Sequence, residues 1–154
     1  MPYLASIGTY LPCWGAPQHR VAGDDDDATT LAMQAGRAAL IASGAEIHDF
    51  FTGIELISYE DFGFAERFGA YKLVEAEVTS VGGALPVNPS GGLKAKGHPP
   101  GATGVAQCVE LFAQLRGEAA NQVDGARVAL AHNIGGPTAV SAVTILEGSA
   151  NGAG

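Results

Sequence analysis

The stretch that most limits the possible folds is ALPVNPSGGLKAKGHPPG, at residues 84–101. Its many glycines and prolines disfavour both helix and central strand, because proline lacks the amide hydrogen and glycine loses the most backbone entropy. Apolar segments flank it and its net charge is small, so we expect an ordered loop rather than a disordered segment. The chain must therefore build its core from the segments on either side of this loop.

The segments before the loop predict alternating strands and helices. LASIGTYL (4–11) is partly β-branched and predicts a strand, and DDDDATTLAMQAGRAALIASG (24–44) predicts a helix. Its aspartates favour helix capping over a metal site, because adjacent residues of one turn point in different directions. EIHDFF (46–51) predicts the start of a strand and residues 52–64 predict a helix, whereas residues 65–83 are compatible with a strand or with a segment that packs over the core.

The segment after the loop, ATGVAQCVELFAQLRGEA (102–119), predicts a helix. Its apolar residues recur at helical spacing and predict the buried face, which is formed by Val105, Val109, Phe112 and Leu115. Cys108 lies close to this face, so we expect it to pack in the core rather than to react.

Two further apolar segments predict the last strands, at residues 127–136 and 138–148. Only Gly136 and Pro137 connect the two predicted strands, so an antiparallel pair is expected. The tail at residues 149–154 is expected to fray. Helices that alternate with apolar strands indicate an α/β fold with a mixed sheet.

Composition excludes several classes of partner and location. The formal net charge is −8, which argues against nucleic acid and anionic membranes as partners. Neither a signal peptide nor an apolar run long enough to cross a membrane is present, so the cytoplasm is the expected location. The two cysteines, Cys13 and Cys108, form neither a disulfide framework nor a metal-ligand motif. Cys13 has no nearby base in the sequence that would activate it.

Four polar residues are candidates for a functional site. His98 is held between Gly97 and Pro99 and could donate a hydrogen bond or act as a base, although a lone histidine here is also typical of a surface turn. His48, His132 and Asn133 end predicted strands, where ligand crevices form in open α/β sheets. A metal site from the three histidines is less favoured, because no pair shows ligand spacing on one element.

Three segments resemble the C-terminal half of a thiolase. They are HDFF (48–51), NPSGGLKAKGHPPGATG (88–104) and HNIGG (132–136), and they are most similar to the lipid-transfer (sterol-carrier-protein) branch of that superfamily. The resemblance covers about residues 45–148. Residues 3–44 resemble the first strand and helix of the N-terminal half.

The resemblance implies roles for individual residues. His98 would help to form an oxyanion hole for an acyl thioester, and His48 would complete that hole. Phe51 would line the pantetheine tunnel, and Asn133 would occupy the position of the acid/base cysteine. Three glycines would bind the substrate: Gly91, Gly92 and Gly135. The coenzyme A thioester would be the substrate, and no cofactor or metal is implied.

Departures from the family pattern bear on the activity. The nucleophilic cysteine of thiolases has no counterpart in this sequence, and Phe50 stands where the lipid-transfer branch often has another cysteine. Asn133 cannot carry a proton as a thiol does. We therefore expect a thiolase-like acyl-CoA acyltransferase family protein with impaired catalysis. The alternative is a non-catalytic acyl-CoA-binding, lipid-binding or subunit-interaction half-domain.

The same resemblance predicts the domain organisation. Residues 1–148 would form one thiolase-like half-domain, in which residues 1–44 derive from the N-terminal half and replace the first strand and helix of residues 45–148. The expected sheet has five strands, with helices on both faces. Such a half-domain would expose the helix face that normally packs on its twin. We therefore expect a homodimer, or pairing with a thiolase-like or OB-fold subunit.

Overall fold

The fold is built on one mixed sheet. The computed structural model describes residues 3–10, 43–135 and 140–148. The strands are β1 Tyr3–Tyr10, β2 Gly44–Glu46, β3 Val128–Gly135 and β4 Val140–Glu147. Their order in the sheet is β1–β4–β3–β2, in which β4 is antiparallel to both neighbours and β2 is parallel to β3. The predicted α/β class with a mixed sheet is confirmed.

Three strands lie close to their predicted positions, which were residues 4–11, 127–136 and 138–148. The antiparallel pairing of the last two is also confirmed, with Gly135 opposite Val140. The part of the chain that the structure describes contributes four strands rather than the five that we expected. The predicted helix at 24–44 lies outside the described residues up to residue 42, and Gly44 begins β2.

The second strand is shorter than predicted. The segment 46–51 was expected to begin as a strand, but pairing with β3 ends at Glu46. The next amide, that of Ile47, donates to the Asn88 side-chain oxygen at 2.8 Å. The loop therefore lines the edge of β2 that faces away from β3, where its backbone also bonds Ala45, and the chain leaves the sheet after Glu46.

The described residues after β2 form four helices. Their bounds are α1 Thr52–Asp61, α2 Ala70–Glu75, α3 Gly92–Lys96 and α4 Thr103–Arg116. Helix α1 ends before residue 64, because Gly63 takes a left-handed conformation, and Gly117 ends α4 in the same way. Residues 65–83 contain α2 and turns rather than a strand, and α3 interrupts the predicted loop. Within the described ranges, no helix is long and apolar enough to cross a membrane.

The two faces of the sheet carry cores of different size. The larger cluster contains Tyr59 and Phe62 of the α1 region, together with Leu130 and Ile145 of the sheet. The smaller cluster lies under α4 and consists of Leu111, Ala129, Ala131 and Leu146, with Cys108 and Leu115 packed against it. Helices therefore cover both faces of the sheet, as expected, and the predicted packing role of Cys108 is confirmed.

The buried face of α4 is not the one that its apolar pattern predicted. Val105, Val109 and Phe112 are 67%, 64% and 39% exposed. The face turned towards the sheet carries Leu111 and three polar residues: Thr103, Gln107 and Gln114. Gln107 lies there because its amide donates to the His132 carbonyl oxygen at 2.9 Å. The apolar residues therefore form an exposed stripe on the outer side of α4, hereafter the outer stripe (Val105, Val109 and Phe112).

Candidate functional site

The structure brings together two of the predicted histidines, His48 and His98. Their ring centroids are 4.8 Å apart and the rings are nearly perpendicular, at 88°. His48 follows β2 and is 2% exposed, whereas His98 lies on the exposed loop before α4. A buried imidazole and an exposed one therefore meet edge to face, although they are 50 positions apart along the chain.

Asn133 joins this pair from the neighbouring strand. The parallel register places Glu46 opposite Ala131. His48 and Asn133 each come two positions later, so they lie side by side. A side-chain hydrogen bond connects Asn133 with His48. The Asn133 amide also packs on Gly104, where an added Cβ would come within 2.5 Å of its nitrogen. The glycine that follows Thr103 thus makes room for Asn133 beside His48.

The His98 ring is held by the first residue of α4. Its Nδ1 lies 2.7 Å from Thr103 Oγ1, and that oxygen lies 3.2 Å from the Pro99 carbonyl oxygen. The two prolines after His98 stiffen the turn that leads into the helix. The histidine is consequently exposed to solvent but fixed in position.

A buried carboxylate holds the loop that carries His98. Glu46 is fully buried, and its carboxylate accepts hydrogen bonds from the Ser90 amide and hydroxyl at 3.0 and 2.7 Å. Lys96 completes this clamp with an ion pair to Glu46 at 3.0 Å and a hydrogen bond to the Ser90 hydroxyl. Because Lys96 precedes His98 by two positions, the clamp ties His98 to β2.

Asp49 fixes the same loop from the other side. Its carboxylate accepts the Leu93 amide at 2.7 Å and is 1% exposed. At Gly92 the backbone φ is +65°, and an added Cβ would collide with the Asp49 carboxylate at 2.1 Å. Gly92, predicted to bind substrate, is buried and in contact with Asp49. Gly91 and Gly135, also predicted to bind substrate, are exposed at the start of α3 and at the end of β3.

Two phenylalanines form an apolar rim beside the histidines. The Phe50 ring lies 4.9 Å from His48 and 6.1 Å from His98, between centroids. The Phe51 ring packs on Phe50 at 4.7 Å and a tilt of 47°, and it is 66% exposed. Phe51 thus extends the apolar surface that Phe50 forms beside the two imidazoles, and the apolar part of a ligand can lie on it.

Electrostatics favour the neutral form of His48. Burial lowers its pKa, and the neighbouring His98 lowers it further. The hydrogen bond to Asn133 and the charge of Asp49 oppose this shift with smaller effects. Because burial has the largest effect, His48 is neutral at neutral pH, so it presents one N–H donor and one acceptor.

His132, the third predicted histidine, does not join the site. The alternation of side chains along β3 turns it to the larger cluster, where its ring packs on Phe62 at 4.8 Å. Burial lowers its pKa to about 3, and Nε2 lies 3.0 Å from the Ser141 hydroxyl. Among the residues that the structure describes, no group of His, Cys, Asp and Glu could hold a metal ion.

The described cysteine is unsuited to nucleophilic attack. Burial raises the pKa of the Cys108 thiol, and a hydrogen bond to Thr144 opposes the shift with a smaller effect. A thiol is reactive only as the thiolate, so this environment keeps Cys108 in its inert form. Cys13, which we expected to be unreactive, lies outside the described residues.

Two residues that contact or position the site were missed in the sequence. Glu46 is a charged residue in an apolar strand, and such a residue is seldom fully buried unless it is paired. Thr103 begins a helix, where threonine is usually interpreted as a cap rather than as a partner of a histidine five positions earlier. A search for charged or hydroxyl residues at these unusual positions would have found both.

Comparisons with known proteins converge on one family. The family described as "Thiolase C-terminal domain-like" matches residues 16–148. An acetyl-CoA acetyltransferase of Methanothermobacter thermautotrophicus is 44% identical over 127 residues, which cover 79% of this chain and 33% of that protein. Sterol carrier protein 2 of Bos taurus is 57% identical over 91 residues, which cover 58% of this chain and 17% of that protein.

A solved structure named "Ltp2-ChsH2(DUF35) aldolase" has a similar fold. Its TM-score is 0.65 at 22% identity, over 78% of this chain and 32% of that chain. At this identity the likeness concerns the fold alone. This chain thus spans about a third or less of the length of these relatives.

Proposed function

This chain belongs to the family of thiolase C-terminal domain-like proteins, and we propose that it binds an acyl-CoA thioester at the paired rings of His48 and His98. The observation that carries this proposal is the perpendicular contact of the two imidazoles at 4.8 Å. Acyl transfer needs hydrogen-bond donors that converge on one oxygen, and two rings held in this way can supply them when each carries a proton on the nitrogen that faces the ligand. The ligand class follows the name of the acetyl-CoA acetyltransferase relative.

The surroundings of the histidines suit a thioester with a long apolar arm. The thioester oxygen would lie at the rings of His48 and His98, and the pantetheine arm would lie on Phe51. Gly91 and Gly135 are exposed at the start of α3 and at the end of β3, and they offer backbone atoms without side-chain obstruction. The coenzyme A thioester is the substrate in this proposal, so no separate cofactor is invoked.

We propose that covalent acyl transfer is impaired in this chain. Cys108 packs in the smaller cluster with a raised pKa, and the family resemblance would place Asn133 at the position of the acid/base cysteine. An amide neither attacks a thioester nor transfers a proton at neutral pH. The His48–His98 pair would then bind and polarise a thioester carbonyl without forming an acyl-enzyme.

A second candidate function is that of an interaction half-domain. The outer stripe favours it, because Val105 and Val109 are about two-thirds exposed on a helix that packs on the sheet with its other side. Isolated exposed apolar residues are common, but a row of them along one helix is typical of an interface. We propose that a second copy of this chain covers the stripe, or else a thiolase-like or OB-fold subunit in the cytoplasm. The solved relative named for a DUF35 partner supports the subunit alternative.

Intact-mass spectrometry after incubation with acetyl-CoA tests the proposed function. We expect a non-covalent complex under native conditions and no acetyl adduct after denaturation. An adduct on Cys13 or Cys108 would contradict the impaired catalysis, and the absence of any complex would contradict the binding site. Sedimentation over a range of concentrations tests the interface, and a monomer at high concentration would contradict the homodimer.

A further inference from the structure

The orientation of the His98 ring depends on one hydroxyl group. Thr103 is 3% exposed, and its Oγ1 lies 2.7 Å from His98 Nδ1 and 3.2 Å from the Pro99 carbonyl oxygen. That carbonyl also accepts the Ala102 amide at 3.0 Å, which its second lone pair permits. The hydroxyl therefore has two neighbours. His98 Nδ1 can donate or accept a hydrogen bond, whereas the Pro99 carbonyl oxygen can only accept one.

Two arrangements of protons are possible at this hydroxyl. If the Thr103 hydroxyl donates to Nδ1, it makes no bond to Pro99, so one hydrogen bond is formed. If Nδ1 carries a proton and donates to Oγ1, the hydroxyl is free to donate to Pro99, so two hydrogen bonds are formed. Thr103 is buried, and a buried polar group without a partner is unfavourable, so the second hydrogen bond favours this arrangement.

We infer that Thr103 is a positioning residue that fixes the tautomer of His98, with the proton on Nδ1 and the lone pair on Nε2. The hydrogen-bond relay runs from His98 Nδ1 through Thr103 Oγ1 to the Pro99 carbonyl oxygen. It closes within six residues of the chain, so it needs no contribution from a partner. A histidine is thereby given one defined acceptor nitrogen on an otherwise exposed loop.

The tautomer specifies what His98 can do in the proposed site, and this step rests on the proposed function. In the neutral ring Nε2 can only accept, so it would take a hydrogen bond from a thiol such as that of free coenzyme A. To donate to a thioester oxygen, Nε2 must first gain a proton from solvent, which converts the imidazole into an imidazolium. Binding of a thioester through His98 would therefore take up a proton, whereas binding of the thiol would not.

Nitrogen-15 NMR of the histidine rings tests the tautomer in the ligand-free chain. At mildly alkaline pH, where an ordinary imidazole is neutral, we expect Nδ1 of His98 to have the shift of a protonated nitrogen and Nε2 that of an unprotonated one. The His98→Gln variant assigns the signals. Thr103→Ser keeps the hydroxyl and should keep this pattern. Thr103→Val has nearly the same shape without the hydroxyl, and should lower the ratio of the Nδ1–H to the Nε2–H form roughly fivefold, the factor that corresponds to one net hydrogen bond.

Two results would overturn the inference. The wild-type chain could show the proton on Nε2, or Thr103→Val could keep the wild-type tautomer ratio while its amide spectrum shows a folded protein. If Thr103→Val does not fold, the wild-type and Thr103→Ser spectra still decide the question. The measurement uses no ligand, so a failure to bind acetyl-CoA would contradict the proposed function and leave the tautomer assignment intact.

Discussion

His132 and His48 lie near the ends of adjacent strands, yet they differ in role because they face opposite sides of the sheet. His132 belongs to the larger cluster, where it packs on Phe62 and has a strongly lowered pKa. His48 lies on the side of α4, where it meets His98 and Asn133. One face therefore uses its histidine as a core residue, and the other holds its histidine in a polar site. The pleat of the sheet, rather than the residue type, decides between these roles.

The largest difference between the two faces should be seen on truncating an aromatic residue. Phe62 is fully buried, so Phe62→Ala should lower the free energy of unfolding by about 3–5 kcal/mol. Phe112 lies in the outer stripe, and Phe112→Ala should change it by only about 0.5 kcal/mol in the monomer. Urea denaturation at low protein concentration measures both variants. Equal losses would show that the two aromatic residues contribute alike.

The buried His132 should make stability depend on pH. Its folded pKa of about 3 lies below the ordinary value of 6.5, so its contribution is complete above pH 6.5 and is lost as the pH falls towards 3. In that window His132 is uncharged in the folded chain and protonated in the unfolded chain. The free energy of unfolding therefore falls by about 1.4 kcal/mol for each unit by which the pH falls. His48, whose pKa is also lowered, adds to this slope.

Substitution of His132 should flatten that pH profile. His132→Gln removes the titrating group, so the slope of the unfolding free energy below pH 6.5 should decrease. The matched control is Ser141→Ala, which removes a hydrogen-bond partner but keeps the histidine, so stability should fall while the slope remains. A slope that persists in His132→Gln would assign the pH dependence to other groups.

On the other face, the clamp at Glu46 should contribute less to the free energy of unfolding than the buried Phe62 does. Glu46→Gln keeps the size of the side chain but weakens the bonds to Ser90 and Lys96, so we expect a loss of about 1–3 kcal/mol. Glu118→Gln is the control, because its ion pair with Arg116 is exposed and should leave stability unchanged. The His98 ring signals should shift in the first variant only, and unchanged signals would separate the clamp from the site.

The smallest effect on monomer stability is expected at the outer stripe. Val109→Ser places a polar group where the side chain is already 64% exposed, so unfolding at low concentration should be almost unchanged. The association constant should nevertheless fall, because an apolar contact across the proposed interface is lost. Urea denaturation at low concentration measures the stability, and sedimentation equilibrium measures the association constant. A variant that associates as strongly as the wild type would place the interface elsewhere.

Strand positions and the order of helices could be predicted because β-branched runs and glycine stops are local signals. The loop at residues 84–101 was correctly expected to be ordered, but the short helix α3 was missed, because it depends on Asp49, 44 positions before Leu93. The separation of His132 from His48 and His98 could not be predicted from the sequence, because it depends on the register of the strands. On α4, the periodicity identified an apolar stripe, but it could not predict that Gln107 faces the sheet and donates a hydrogen bond to the His132 carbonyl oxygen.

A titration of the chain with acetyl-CoA, followed by NMR of the assigned rings of His48, His98 and His132, tests the central claim most directly. We predict that the signals of His48 and His98 shift in a saturable manner while the signal of His132 stays in place, because His132 faces the other side of the sheet. The chain itself thus supplies the internal control. Histidine signals that do not move, or a shift confined to His132, would contradict the assignment of the thioester site to His48 and His98.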